Sequence, residues 1–230
     1  MSRPLRHGYT NSTTGDGRTV VKRYRGPDAE VRAAREQRAL TRLHGRLPVP
    51  PLLATEAGAV TLGHLPGVPA QDLLAAGHGP QVLAACGRVL RRLQEIGPGV
   101  VEDGPAVAGS VLVHGDFGPH NLLLDPDTFA VTGLVDWEFT HPGDPVEDLA
   151  WCEWTVRTHH PDRAGALGEL FRAYGRPVPP WPRRRAAMLA SCARLEEFCR
   201  RRDGDGPAVR QWRERSRATA DWPEQPPPVG

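Results

Sequence analysis

One stretch, VLVHGDFGPHNLLLD at residues 111–125, constrains the fold of this chain more than any other. Three apolar residues lead into His114, Gly115 and Asp116; a Gly-Pro turn follows, then His120, Asn121 and three leucines. Short apolar runs bounded by turn residues read as buried strands, which confines the polar residues between them to a loop. The turn PDT at 126–128 and the run 129–135 add a further strand that ends at Asp136. Folded back on each other, the last two strands bring Asn121 and Asp136 to one end of a ribbon, beside Asp116. Two carboxylates and an amide oxygen gathered there are hard ligands of the kind Mg²⁺ takes.

The segments on either side differ in kind. GYTNSTTGDGRTVVKRY reads as a hairpin turned at residues 14–17, with a strand over 19–24. GPDAEVRAAREQRALTRLHG is a helix with Pro27 and Asp28 at its start and Gly45 at its end. Glu36, Leu40 and Leu43 stand at i, i+4 and i+7, so Glu36 shares a face with leucines that must point inward. A Pro-rich connection, a hairpin at Ala57-Gly58 and a Pro-Gly hinge follow. From Gln71 onward helices dominate, the first carrying Val82, Cys86, Val89, Leu90 and Leu93 on one stripe. The expectation is an α+β chain of two lobes, a small β-rich one over 1–66 and a mostly helical one over 67–230, with a loose tail from about 222. The arginine runs at 183–185 and 200–202 read as solvated helix faces.

Charge adds a second asymmetry. Residues 1–50 hold eleven Lys/Arg against four Asp/Glu, while residues 101–150 hold ten Asp/Glu and no Lys or Arg. A basic first segment suits a polyanion such as a nucleoside triphosphate, and an acidic centre suits a divalent metal or a cationic substrate. No basic run is interleaved with stacking aromatics, so nucleic acid is not an expected partner. Twenty-eight of the twenty-nine basic residues are arginine, and the one lysine is Lys22. A compact ammonium on a flexible stem differs chemically from a planar fork, which marks Lys22 as a candidate site residue. The four cysteines lack CxxC spacing and read as small buried hydrophobes. The first ten residues lack the apolar core of a signal peptide, and no window is apolar enough to cross a membrane, so the expected location is cytoplasmic.

HGDFGPHN resembles the catalytic loop of the protein-kinase-like phosphotransferases, in which four residues separate an Asp from an Asn. Gly115 stands where protein kinases carry Arg, the H-G-D form typical of aminoglycoside phosphotransferases and choline-kinase-like enzymes. VDWEF looks like that family's metal-binding segment, in the place of D-F-G, and GDPVEDLAW is similar to the helix opening after it. REQRALTRLHGRLPVP resembles the Glu-bearing helix and its Pro-Val-Pro exit, and GYTNST resembles the phosphate-covering loop. The resemblance runs in order over roughly residues 5–155.

It implies a two-lobed protein-kinase-like fold and an ATP- and Mg²⁺-dependent transfer of phosphate to a hydroxyl of a small molecule, with GTP an open alternative. Asp116 would accept the proton of, and orient, the attacking hydroxyl. Asn121 and Asp136 would hold Mg²⁺ on the phosphates. Lys22, held by Glu36, would contact the α- and β-phosphates, and the 8–13 turn, with Gly8, Asn11 and Ser12, would cover them. His114 and Asp148 would brace the loop, His120 is read as structural, and Glu138 is a further candidate for metal or substrate. The pattern departs from the family in having a short first strand, no GxGxxG, and no recognisable motif in the C-terminal region. A nucleotide-binding module without turnover and a metal-dependent hydrolase using His114, Asp116 and His120 are the rival readings; the hydrolase gives Lys22 no task.

Overall fold

The computed structural model describes residues 3–4, 11–101 and 107–224. The strand β1 (Arg3–Pro4) pairs with β2 (Ser12–Gly15), and β2 turns onto β3 (Thr19–Arg23) through Asp16. The Asp16 carboxylate accepts hydrogen bonds from the backbone N–H groups of Arg18 and Thr19, at 2.9 and 2.7 Å, which closes the turn. Helix α1 (Ala29–Leu43) crosses to the second hairpin, β4 (Leu52–Glu56) and β5 (Ala59–Gly63), which reverses at Gly58 with φ +68°. The result is one antiparallel sheet in the order β1-β2-β3-β5-β4. The i, i+4, i+7 pattern holds: Glu36, Leu40 and Leu43 are all buried, the leucines in one core with Tyr24, Val60 and Leu62.

Beyond the sheet, β6 (Val68–Pro69) leads into α2 (Ala70–Ala75) and α3 (Gly79–Glu95). The predicted stripe of α3 is buried, and Gly87 lets the backbone of a later helix approach: a Cβ there would lie 2.4 Å from the carbonyl oxygen of Leu170. Four short strands follow: β7 (Val111–Val113), β8 (Leu122–Leu124), β9 (Val131–Leu134) and β10 (His141–Gly143). Helices α4 (Val146–His159), α5 (Leu167–Tyr174), α6 (Trp181–Asp203) and α7 (Pro207–Ala220) complete the larger, helical part.

Four points differ from the sequence reading. The ribbon strands are shorter than read, because Asp125 folds its side chain onto the backbone N–H and hydroxyl of Thr128, and Phe129 takes φ +56°. Strand β7 pairs with β10, whose sequence His-Pro-Gly carries no strand signal. The chain is not loose at 222: Trp222 packs on the second core cluster, and Arg157 lies over its ring at 5.5 Å. Nor is the 183–185 run wholly solvated. Arg184 is buried, its Nε 2.8 Å from Glu153 and its guanidinium over the rings of Phe171 and Trp181. All four cysteines are buried and free. Among the described residues no helix is long and apolar enough to cross a membrane.

Candidate active site

Two polar clusters meet at the seam between the sheet and the helical part. The first is built around Lys22 on β3. Its ammonium lies 2.6 Å from Glu36 Oε2, 2.5 Å from Asp136 Oδ1 and 3.9 Å from Glu138 Oε2. Burial alone would lower the Lys22 pKa, but Asp136, Glu36 and Glu138 outweigh it and hold the ammonium above its ordinary value. Tyr24 donates its hydroxyl to Glu36 at 2.5 Å, and Trp137 N–H donates to the other Glu36 oxygen at 3.3 Å. Burial, then Glu36, pushes the Tyr24 phenol upward, so it stays a donor.

Glu36, Asp136 and Glu138 form the acidic group, among the described residues, whose oxygens lie within 4.8 Å of one another. The Lys22 ammonium sits among the three carboxylates, so the trio is first of all a lysine cage. Glu36 does not pair with Arg32, four residues earlier. Arg32 reaches Glu138 instead, at 2.6 Å, and Asn11 joins both, donating to Glu138 at 2.8 Å and accepting from Arg32 at 3.2 Å. Glu138 is fully buried in this network, which leaves its carboxylate no solvent-facing oxygen for a metal or a substrate. Ser12 opens β2 opposite Arg23, and Gly8 lies outside the described residues.

The second cluster surrounds Asp116. Asn121 closes the loop, its amide nitrogen donating to the Asp116 carbonyl at 2.8 Å and to Asp116 Oδ2 at 3.1 Å. Trp151 Nε1 donates to Oδ1 at 2.8 Å, and His120 Nε2 lies 3.2 Å from the same oxygen. Burial raises the Asp116 pKa, but His120 and the Trp151 hydrogen bond outweigh it, and the group is held below the ordinary carboxylate range. The ribbon register pairs Leu122 with Leu134, and Val135 N–H donates to the Asn121 carbonyl at 3.0 Å. Asn121 and Asp136 therefore flank the same end of one ribbon, as the strand pattern predicts. Asp136 has φ +69°, a left-handed conformation unusual for a residue other than glycine.

Both bracing residues lie beneath the loop. Asp148, near the start of α4, accepts from the N–H of His114 at 2.7 Å and of Gly115 at 3.0 Å. Burial works against those two bonds and pushes its carboxyl up to about 6. His114 Nδ1 accepts from Asp116 N–H at 3.3 Å, so Nε2 carries the proton and donates to the Val135 carbonyl at 3.0 Å. Full burial lowers the His114 pKa to about 4. Gly115 is required: its φ is +84°, and a Cβ would lie 2.4 Å from the Phe139 carbonyl oxygen.

With this geometry in hand, comparison with known proteins assigns the family. The model of the phosphotransferase enzyme family matches residues 2–106 and 102–187. The chain belongs to that family. Solved structures of this phosphotransferase's fold include the macrolide 2'-phosphotransferase MphH from Brachybacterium faecium, with TM-score 0.66 and 20% identity over 98% of this chain and 93% of that one. The GDP and kanamycin complex of APH(2")-IIIa superposes with TM-score 0.74 at 13% identity, over 96% and 93% of the two chains. A choline/ethanolamine kinase family protein from Mesorhizobium loti gives TM-score 0.64 at 16% identity, over 97% and 89%. The fold is thus the two-lobed protein-kinase-like one, a small antiparallel sheet region beside a larger helical part. A curated relative, acyl-CoA dehydrogenase family member 10 of Mus musculus, is 40% identical over 47 residues, and the match spans 4% of that protein's length.

Trp151, Tyr24 and Arg32 are contacts of the two clusters to which reading the sequence gave no site role, and His120, read as structural, lies 3.2 Å from Asp116 Oδ1.

Proposed function

We propose that this phosphotransferase moves the γ-phosphoryl group of a nucleoside triphosphate, ATP or GTP, to a hydroxyl of a small molecule. The observation that carries this reading is a convergence of groups distant in sequence. The Asp116–Asn121 loop, Asp136 across the ribbon, and the Lys22–Glu36 pair at 2.6 Å meet at one seam. Asp116 accepts the hydroxyl proton and aims the oxygen; its low pKa keeps it an acceptor at neutral pH. Lys22 contacts the α- and β-phosphates, while Glu36 holds its ammonium and Tyr24 in turn holds Glu36. Gly8, Asn11 and Ser12, read from the sequence as the phosphate-covering segment, complete the nucleotide site in this reading.

Mg²⁺ suits Asn121 and Asp136. The Asn121 amide nitrogen is committed to Asp116, which leaves the amide oxygen for a cation, and the Asp136 carboxylate is partly exposed beside it. Bound there, the ion would neutralise charge developing on the phosphate oxygens. The remaining work is positioning, which Asp148 and His114 supply by fixing the loop backbone.

Candidate acceptors are macrolides, aminoglycosides such as kanamycin, and choline-like alcohols, the classes for which the structural neighbours are named. The test is nucleoside diphosphate release with each acceptor, ATP and GTP run in parallel. Asp116→Asn is expected to abolish acceptor-dependent release while Mg·nucleotide binding persists. Unchanged turnover in Asp116→Asn would sink the assignment.

A further inference from the structure

Asp116 is held by more donors than its loop supplies. Each carboxylate oxygen has two lone-pair sites. Oδ1 faces both Trp151 Nε1, at 2.8 Å, and His120 Nε2, at 3.2 Å, while among the described residues Oδ2 receives Asn121 alone, at 3.1 Å. We infer that Trp151 and His120 are positioning residues that lock Oδ1, leaving Oδ2 as the oxygen that meets the acceptor hydroxyl. This rests on the role given to Asp116 above.

The two donors are themselves immobilised. The Trp151 ring stacks on Trp154 at 4.4 Å with an interplanar angle of 5°, and Trp154 is anchored by donating its indole N–H to Thr219 Oγ1 of α7 at 2.8 Å. Trp212 of α7 lies 6.2 Å from Trp151 and 5.6 Å from Trp154, so α7 backs the whole stack. The His120 ring lies against Gly118, where a Cβ would come within 2.8 Å of it, and its buried Nδ1 has no hydrogen-bond partner among the described residues. A ring so placed gains nothing from Nδ1, and its polar contact is the one to Asp116. A carboxylate free to rotate would present either oxygen; one locked on both sides of Oδ1 presents a single lone pair in a fixed direction.

The experiment compares Trp151→Phe, His120→Ala and the double variant with the parent enzyme, using kanamycin, a macrolide and choline as acceptors. Trp151→Phe keeps the stacked ring and removes only the donor. Each single variant should lower kcat about tenfold, the loss expected from one charge-assisted hydrogen bond, with nucleotide KM unchanged. The double variant should depart from the product of the single effects, because both act on one oxygen, and His120→Gln should recover part of the loss. Wild-type turnover in Trp151→Phe, with Asp116→Asn inactive, would overturn the inference and leave the role of Asp116 standing. Turnover in Asp116→Asn itself would instead remove that role. A measurement that needs no acceptor is the ¹⁵N spectrum of the indole N–H groups. Replacing Asp116 with Asn should move the Trp151 signal and leave that of Trp137, whose N–H donates to the Leu134 carbonyl, in place; an unmoved Trp151 signal would count against the clamp.

Discussion

At the scale of single residues, Lys22 carries the most information. Its ammonium fits among Glu36, Asp136 and Glu138, with two of the three oxygens within 2.6 Å of Nζ. A guanidinium is wider and planar, and it cannot enter that space without displacing Tyr24, whose ring centroid lies 5.1 Å from Nζ. Lys22→Arg should therefore keep the fold, because the cage retains a cation, yet lose about tenfold or more in turnover. Lys22→Met should do more: stripping the cation from a buried pair costs about 3–5 kcal/mol. Thermal melts and nucleoside diphosphate release separate the two effects, and full activity in Lys22→Arg would show that ammonium geometry is irrelevant here. This pair was legible in the chain, because an inward-facing Glu on a leucine stripe and a lone lysine on the preceding strand each stand out. Trp151 and Arg32 were not. Helix α4 is buried on nearly all sides, so its tryptophans carry no facial pattern that distinguishes core from site. Arg32 finds Glu138 across 106 residues, a contact that no local periodicity announces.

At the scale of elements, the Asp116–Asn121 loop is tied to its frame by a histidine and a carboxylate that respond to pH in opposite senses. His114 sits at about 4 in the folded chain, below its ordinary 6.5. Between those values the unfolded chain binds a proton that the folded one refuses, so its contribution is full above pH 6.5 and lost as pH falls toward 4. Asp148 is raised from 3.8 to about 6, so the folded chain takes the proton first and its contribution is lost as pH rises through that window. Each shift corresponds to about 3 kcal/mol at most, and over roughly pH 4–6 they largely cancel. Removing the histidine should expose the other slope. His114→Asn is expected to be less stable than the parent at neutral pH, having lost two hydrogen bonds. Its deficit should then shrink by up to about 3 kcal/mol on acidification toward pH 4. Urea denaturation across that range checks it, and a deficit independent of pH would mean that His114 does not sit neutral in the loop. The β7 and β8 strands that hold the loop were readable from their apolar runs, whereas β10 was not, since its pairing depends on where β7 lies rather than on its own His-Pro-Gly.

At the scale of the whole molecule, the charge asymmetry resolves into internal pairings. Of the ten acids in residues 101–150, Asp136 and Glu138 face Lys22 and Arg32, Asp144 meets Arg183, Glu147 meets His141, and Asp148 holds backbone N–H groups. The acidic block therefore gives little independent support for a cationic acceptor. It does make the seam unwelcoming to naked phosphates. A nucleotide without metal would bring its charge against Asp136 and Asp116, while on the proposed reading a Mg·nucleotide complex would bring a cation to Asn121 and Asp136 and phosphates to Lys22. Both the sheet region and the helical part contribute to that site, so binding should stabilise the folded chain as one unit. At a hundredfold excess over Kd the gain is about 2.7 kcal/mol, which for a chain of this size raises the melting temperature by several degrees. The increment should appear with Mg·ATP or Mg·GTP and be nearly absent with nucleotide in EDTA. Asp136→Ala should abolish the metal-dependent part, and because it also frees Lys22 from one carboxylate, any metal-independent binding that remains should strengthen. A stabilisation of equal size with and without Mg²⁺ would show that Lys22 binds phosphates without the metal, and would remove Asn121 and Asp136 from the proposed role of metal ligands.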